Sequence, residues 1–239
     1  MRLVVGAIIF LMSAAGCAQF GIHDPVSNTI QNKGIYQKPE FYTMQWKQGT
    51  QFTEKPTAIS IEVDSIGQQE VRLLVNGKDE PILYASDIST PVCADGECRL
   101  MHIRLYWSLL GEYAGFDRYP KLPLTKHEHD EFLSVDYIKL HQLLMDDNSI
   151  LKRKKIHELV DKPKQSKIEG VDAVAGATIK EVKESVVAGA LYSCYTAWHL
   201  VHGPVRDEIK KHTLTLLNDT MVSEMILSNN SDYQLFVLK

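Results

Sequence analysis

An α+β fold is predicted by three observations. Between residues 58 and 119, strand-length apolar segments are separated by turn residues at Asn76-Gly77, Asp95-Gly96 and Gly111. From residue 134 onward, apolar residues recur instead at helical spacing. The strands are therefore expected as antiparallel hairpins forming a small sheet, packed on a long central helix over about 178–202. A short helical extension follows. The chain of 239 residues is 44% hydrophobic and 23% charged, which excludes a disordered tail, a collagen-like fibre and a disulfide-rich miniprotein. Its formal charge of −4 gives no electrostatic footprint for nucleic acid.

Residues 1–16 have the layout of a secretory signal: Arg2, an apolar run from Leu3 to Met12, then Ser13, Ala14, Ala15 and Gly16. The run is too short to span a bilayer core of about 30 Å. Ala14-Ala15-Gly16-Cys17 resembles the lipobox at which bacterial lipoproteins are diacylated and cut, with Ala14 where Leu is usual. The resemblance implies lipidation of Cys17 and a chain tethered to a membrane surface in the bacterial cell envelope, periplasmic or on the outer membrane. Cleavage as an ordinary signal peptide is the alternative. Residues 17–57, with Pro25, Pro39 and Pro56, read as tether and irregular or edge structure. The expected organisation is then an α+β body over 58–203 and a helical extension over 204–239.

Ala58 to Val63 alternates like a half-buried strand, and Val71 to Val75 is a second. Asn76-Gly77 predicts a hairpin turn, and Pro81 confines the return strand to a start there or to an edge of the sheet. Leu100 to Trp107 is a strong strand, and Tyr113 to Tyr119 pairs back after Gly111. With Asp95-Gly96 at a two-residue tip, Ala94 faces Glu97 and Cys93 faces Cys98. A pair at that second position brings its Cα atoms to about 4.5–5.5 Å, which a disulfide spans. Export places it in an oxidising compartment, so a Cys93–Cys98 bridge is expected. Cys194 reads as a small buried hydrophobe.

Ser134 predicts an N-cap for a helix over 135–145, and Ser149 one for a basic helix over 150–160. Residues 161–171 read as a polar linker. Ile179, Val182, Val186, Ala190, Cys194, Ala197 and Val201 then mark the face of the long helix, widened by Val187, Leu191, Tyr195 and Trp198 and ended by Gly203-Pro204. Shorter helices are expected near 206–218, 220–228 and 231–238.

The functional reading rests on the loop before that helix, Asp172-Ala173-Val174-Ala175-Gly176-Ala177-Thr178. It resembles the FMN-binding domain family, which includes the covalently flavinylated subunits of sodium-pumping NADH:quinone reductases and Rnf-type complexes. The family pattern is Asp, a few residues, Ser-Gly-Ala-Thr and a helix, and a flavin transferase joins FMN through its phosphate to the Thr hydroxyl. The resemblance assigns Asp172, Ala175, Gly176 and Ala177 to the cofactor loop and Thr178 to the acceptor. It implies an electron-transfer module rather than a substrate-specific enzyme, served by a redox partner protein or a quinone. Ala175 replaces the family's Ser, and the upstream Glu-Thr-Pro-Gly-Leu-Gly element has no counterpart here.

Physically, a glycine before a helix start lets backbone N–H groups approach a phosphate, with Lys180 and Lys183 adding charge. Tyr106, Trp107, Tyr192, Tyr195 and Trp198 are candidates to flank the flavin ring, although aromatics at such spacing more often serve the core. Thr178 and Glu181 also form a capping box, which explains the Thr without a flavin. A flavin-free lipoprotein using the fold as an interaction or scaffold module is the alternative. His127, His129 and their acidic neighbours form a weaker metal candidate, read as a solvated loop. His199 and His202 are read as helix C-terminal histidines. No metal site is assigned.

Overall fold

In a computed structural model the described residues are 41–44, 51–63, 67–94, 97–119, 121–126, 129–158, 182 and 184–238. The signal segment and the lipidation site expected at 1–17 lie outside them. The sheet has five antiparallel strands in the order β1 (Thr53–Val63), β2 (Gly67–Val75), β3 (Pro81–Ala94), β4 (Glu97–Trp107) and β5 (Tyr113–Arg118), each beside its sequence neighbour. Helices α1 (Ser134–Met145), α2 (Leu191–Val201), α3 (Val205–Leu216), α4 (Asp219–Leu227) and α5 (Ser231–Val237) follow. The α+β class is therefore as the sequence predicts.

Alternation accounts for the two faces of the sheet. Ile59, Ile61 and Val63 on β1 are buried, whereas Ser60 and Glu62 between them are exposed. On β4, Ile103, Leu105 and Trp107 turn to the helices, and the Trp107 indole N–H donates to the Val201 carbonyl at 3.0 Å. On β3, the Tyr84 hydroxyl meets His212 Nδ1 at 2.8 Å and Thr213 Oγ1 at 3.0 Å on α3. The C-terminal segment is thus joined to the sheet through a buried polar contact.

The opposite face is polar and built on Arg104. Asp87, Arg104 and Asp117 are register partners across β3, β4 and β5. The Arg104 guanidinium, 4% exposed, donates to Glu54 Oε1 at 2.5 Å and to Asp87 at 3.1 and 3.2 Å. Glu54 also accepts from Arg72 at 2.9 Å, and Asp87 from the Tyr119 hydroxyl at 2.6 Å. Asp117 is fully buried and accepts from the hydroxyls of Tyr42 and Tyr106.

The β3–β4 hairpin runs in register from Tyr84↔Trp107 to Cys93↔Cys98 and Ala94↔Glu97. Cys93 and Cys98 are disulfide-bonded there, with Cα atoms 4.0 Å apart and both residues exposed. The β2–β3 turn differs from a two-residue Asn-Gly hairpin. Asn76 N–H donates to Glu80 O and Asp79 N–H to Asn76 O, each at 3.0 Å. The Asn76 side-chain carbonyl also takes the N–H groups of Lys78 and Glu80. This Asx-type closure widens the loop, and the left-handed residue is Asp79 (φ 71°), not Gly77.

Three other expectations are corrected. The α+β body does not begin at residue 58. β1 begins at Thr53, and Phe41 and Tyr42 are buried, with Phe41 5.1 Å from the Phe116 ring and Tyr42 bridged to Gly115. Gly115 (φ 150°) is required at that contact, because a Cβ there would lie 2.3 Å from the Tyr42 ring. Ser134 is the first residue of α1 rather than its cap. Leu133 holds the cap position, and the Asp136 carboxylate accepts from its N–H. Ser149 does cap, but only a 3₁₀ turn over Ile150–Lys152, followed by another at Ile156–Glu158.

The long central helix is not continuous. Val182, Glu184 and Ser185 are helical, but the chain turns over 186–190 with Gly189 at φ 71°, and α2 starts only at Leu191. Ala190 N–H donates to Val187 O, and Cys194 N–H restarts the helical ladder on Ala190 O. Glycine adopts this left-handed geometry without a Cβ clash. The apolar stripe nevertheless holds: Val182, Val186, Ala190, Cys194, Ala197 and Val201 are all buried.

Truncation of Asp87 to Ala leaves Arg104 with one carboxylate in a dry setting. The expected loss is about 3 kcal/mol in urea denaturation. Lys55→Ala removes an exposed partner of Asp79 and is expected to cost under about 1 kcal/mol in the same assay.

Candidate functional site

The described residues form a cleft of about 520 Å³ where the far ends of β1 and β3 face α2 and the start of α3. Its sheet side is Ser60 to Val63 with Thr90 and Pro91. Its helix side is Tyr195, Thr196, His199, Leu200, Gly203, Pro204 and Val205. Strand alternation turns buried Ile61, Val63 and Thr90 toward the helices, while exposed Ser60 and Glu62 line the edge of the cleft. Helical spacing brings Tyr195, His199 and Gly203 to one line along the opposite wall.

The polar chemistry of this wall centres on His199. Its ring lies 4.2 Å from Tyr195 and 5.0 Å, edge-on, from Trp198. Nε2 sits 3.1 Å from the Leu151 carbonyl, an obligate acceptor, so Nε2 carries the proton. Burial lowers the pKa of His199, favouring the neutral ring, and the Leu151 contact opposes this only in part. Nδ1 is then an acceptor, and no described residue donates to it. Among the described residues, no Lys or Arg lines the cleft.

The remaining sequence candidates separate clearly. Asp172, Ala175, Gly176, Ala177 and Thr178, with Lys180 and Lys183, lie outside the described residues, as do His127 and Glu128. Among the flavin-flanking candidates, Tyr106, Trp107 and Trp198 are core. Tyr106 serves Asp117, Trp107 serves Val201, and the Trp198 N–H donates to Asp146 O at 3.0 Å. Tyr195 faces the cleft, and Tyr192 is half-buried. His202 is held by Leu144 O at 3.0 Å and Asp147 Oδ1 at 2.7 Å, a structural clasp between α2 and the end of α1. Burial pushes the Cys194 thiol up to about 12, leaving it a protonated hydrophobe. No group of three metal-ligating side chains occurs among the described residues. None of their helices is long and apolar enough to cross a membrane.

Sequence reasoning missed the cleft. Its walls come from residues more than a hundred positions apart, and Tyr195 and His199 read as part of a helix face. The available signal was their four-residue spacing beside Gly203. Comparison with protein families, curated proteins and solved structures finds no match.

A second histidine gives a measurable pH dependence. His141 is buried on α1, with Nδ1 2.8 Å from the Tyr113 hydroxyl, and burial lowers its pKa to about 4. The unfolded value is near 6.5, so between the two the unfolded chain binds the extra proton. Stability is complete above that window and falls as pH drops through it. Urea midpoints from pH 7 to 4.5 are expected to report a loss of up to roughly 2 kcal/mol from this group, reduced in His141→Gln.

Proposed function

We propose that this chain is an envelope lipoprotein, anchored through Cys17, that carries FMN at or near Thr178 and acts as an electron-transfer module. The observation that carries the reading is the Asp172–Thr178 loop, with small residues at 175–177 before a segment of helical apolar spacing. The antiparallel sheet followed by helices is compatible with the expected α+β layout. The oxidised Cys93–Cys98 pair suits an exported protein.

In this reading FMN supplies the redox chemistry, and the chain supplies attachment and surroundings. Thr178 provides the hydroxyl for the phosphate link, formed by a flavin transferase. Backbone N–H groups after Gly176 offset the phosphate charge. Electrons pass to and from a redox partner protein or a quinone.

The second reading is a flavin-free lipoprotein that uses the fold for interaction. Ala175 in place of Ser and the absent upstream element favour it. So do Leu227, Leu235 and Leu238, which α4, α5 and the last turn leave exposed.

Coexpression with a flavin transferase distinguishes the two. The first reading expects a fluorescent band on a denaturing gel that disappears in Thr178→Val. A dark wild-type band, with no FMN released on heating, removes the flavin and leaves the second reading.

A further inference from the structure

We propose that the cleft between β1, β3 and α2 binds a neutral planar ring that donates an N–H or O–H to His199 and packs against Tyr195. This site does not depend on flavin attachment at Thr178, and it stands or falls separately.

Size is the first argument. About 520 Å³ lies within the ordinary range for small-molecule sites, roughly 300–1,000 Å³. Polarity is the second. The surface is mostly apolar, from Ile61, Val63, Leu200 and Val205, with a few polar groups converging on it. Such a composition favours a ligand with a large apolar body and few fixed contacts.

Charge is the third. With no Lys or Arg among the described lining residues, a phosphate or carboxylate entering here would lose hydration without gaining a counter-charge from them. Glu62, the one carboxylate among the described lining residues, is exposed on β1, where a hydrated, screened charge contributes little to holding a cation. A neutral ligand remains.

The ring requirement comes from the helix wall. The Tyr195 and His199 rings, 4.2 Å apart and tilted by 47°, form an aromatic corner suited to offset or edge contact with a third ring. The donor requirement comes from the tautomer. The Leu151 carbonyl fixes the proton on Nε2, so Nδ1 accepts and the ligand must donate. Thr90, buried on β3, adds a hydroxyl on the facing side. A flavin-type ring imide and a hydroquinone share this chemistry.

Equilibrium dialysis of the full-length chain tests the proposal with three probes. Riboflavin is a neutral ring with an imide N–H and no phosphate. Trimethylhydroquinone, handled without oxygen, has a ring with O–H donors. Trimethylbenzoquinone has nearly the same shape and no donor. Saturable binding of riboflavin or of the hydroquinone is expected, and which of them binds identifies the source. The benzoquinone is expected to bind about fivefold more weakly than the hydroquinone where the hydroquinone binds, the worth of one hydrogen bond.

His199→Phe keeps a ring but loses the acceptor, and Tyr195→Leu keeps His199 but loses the platform. Each is expected to weaken binding by about fivefold or more. Thr178→Val and Lys55→Ala, the latter an exposed residue outside the cleft lining, are expected to leave it unchanged. If His199→Phe fails to fold, Tyr195→Leu decides. The proposal is overturned if neither donor probe binds saturably, or if binding persists unchanged in the folded variants. It is also overturned if the hydroquinone and benzoquinone bind alike.

Discussion

The sheet depends on one buried guanidinium. Arginine does not give up its proton in a protein, so Arg104 must be paired wherever it is buried. Its partners, Glu54 and Asp87, come from β1 and β3 on either side of β2. β1 and β4 are separated by two strands, so the sheet must twist and curl until Glu54 reaches Arg104. Arg72 and Tyr119 satisfy the remaining carboxylate oxygens, and Asp117 repeats the arrangement with two tyrosines. Of the buried side-chain polar atoms among the described residues, only Arg104 Nε lacks a partner. The polar face is therefore closed by specific geometry, whereas the helix-facing side is closed by apolar packing.

The two faces give the molecule different kinds of chemistry. On the polar face almost every charge is committed to another charge. On the helix side, Trp107, Tyr84 and Trp198 each spend their polar atom on a neighbouring element. His199 departs from this pattern, because its Leu151 contact occupies one nitrogen and leaves the other as an acceptor beside a cleft. The Asp172–Thr178 motif, by contrast, is an argument from sequence alone.

Most of the strand pattern was legible because alternation and turn chemistry act locally. The register that opposes Cys93 to Cys98 is the one expected from the sequence, and Pro81 marked the first residue of β3. The wider Asn76–Glu80 loop was not legible, since it depends on a side chain closing on two backbone amides. The stripe from Val182 to Val201 correctly named buried residues but not a continuous helix. Burial period and hydrogen-bond continuity are separable, and Gly189 interrupts the second without disturbing the first. Arg104 was invisible for another reason: a charged residue within an apolar strand gains meaning only when Glu54 arrives from fifty residues away. The cleft, likewise, exists only after α2 has docked on β1 and β3.

The strand order itself has a kinetic consequence. Every strand pairs with the one just before it, so each addition to the sheet closes a loop of only a few residues and loses little chain entropy. The contacts that must wait are those made across long stretches: Tyr42 with Asp117, Trp107 with Val201 and Tyr84 with Thr213. A chain emerging from its N-terminus can assemble the meander as it lengthens, while the helix-facing side stays open until α2 and α3 arrive. In that interval the buried rows of β1 to β5 are exposed apolar surface. The final helices thus act as the cover that ends the period of greatest aggregation risk.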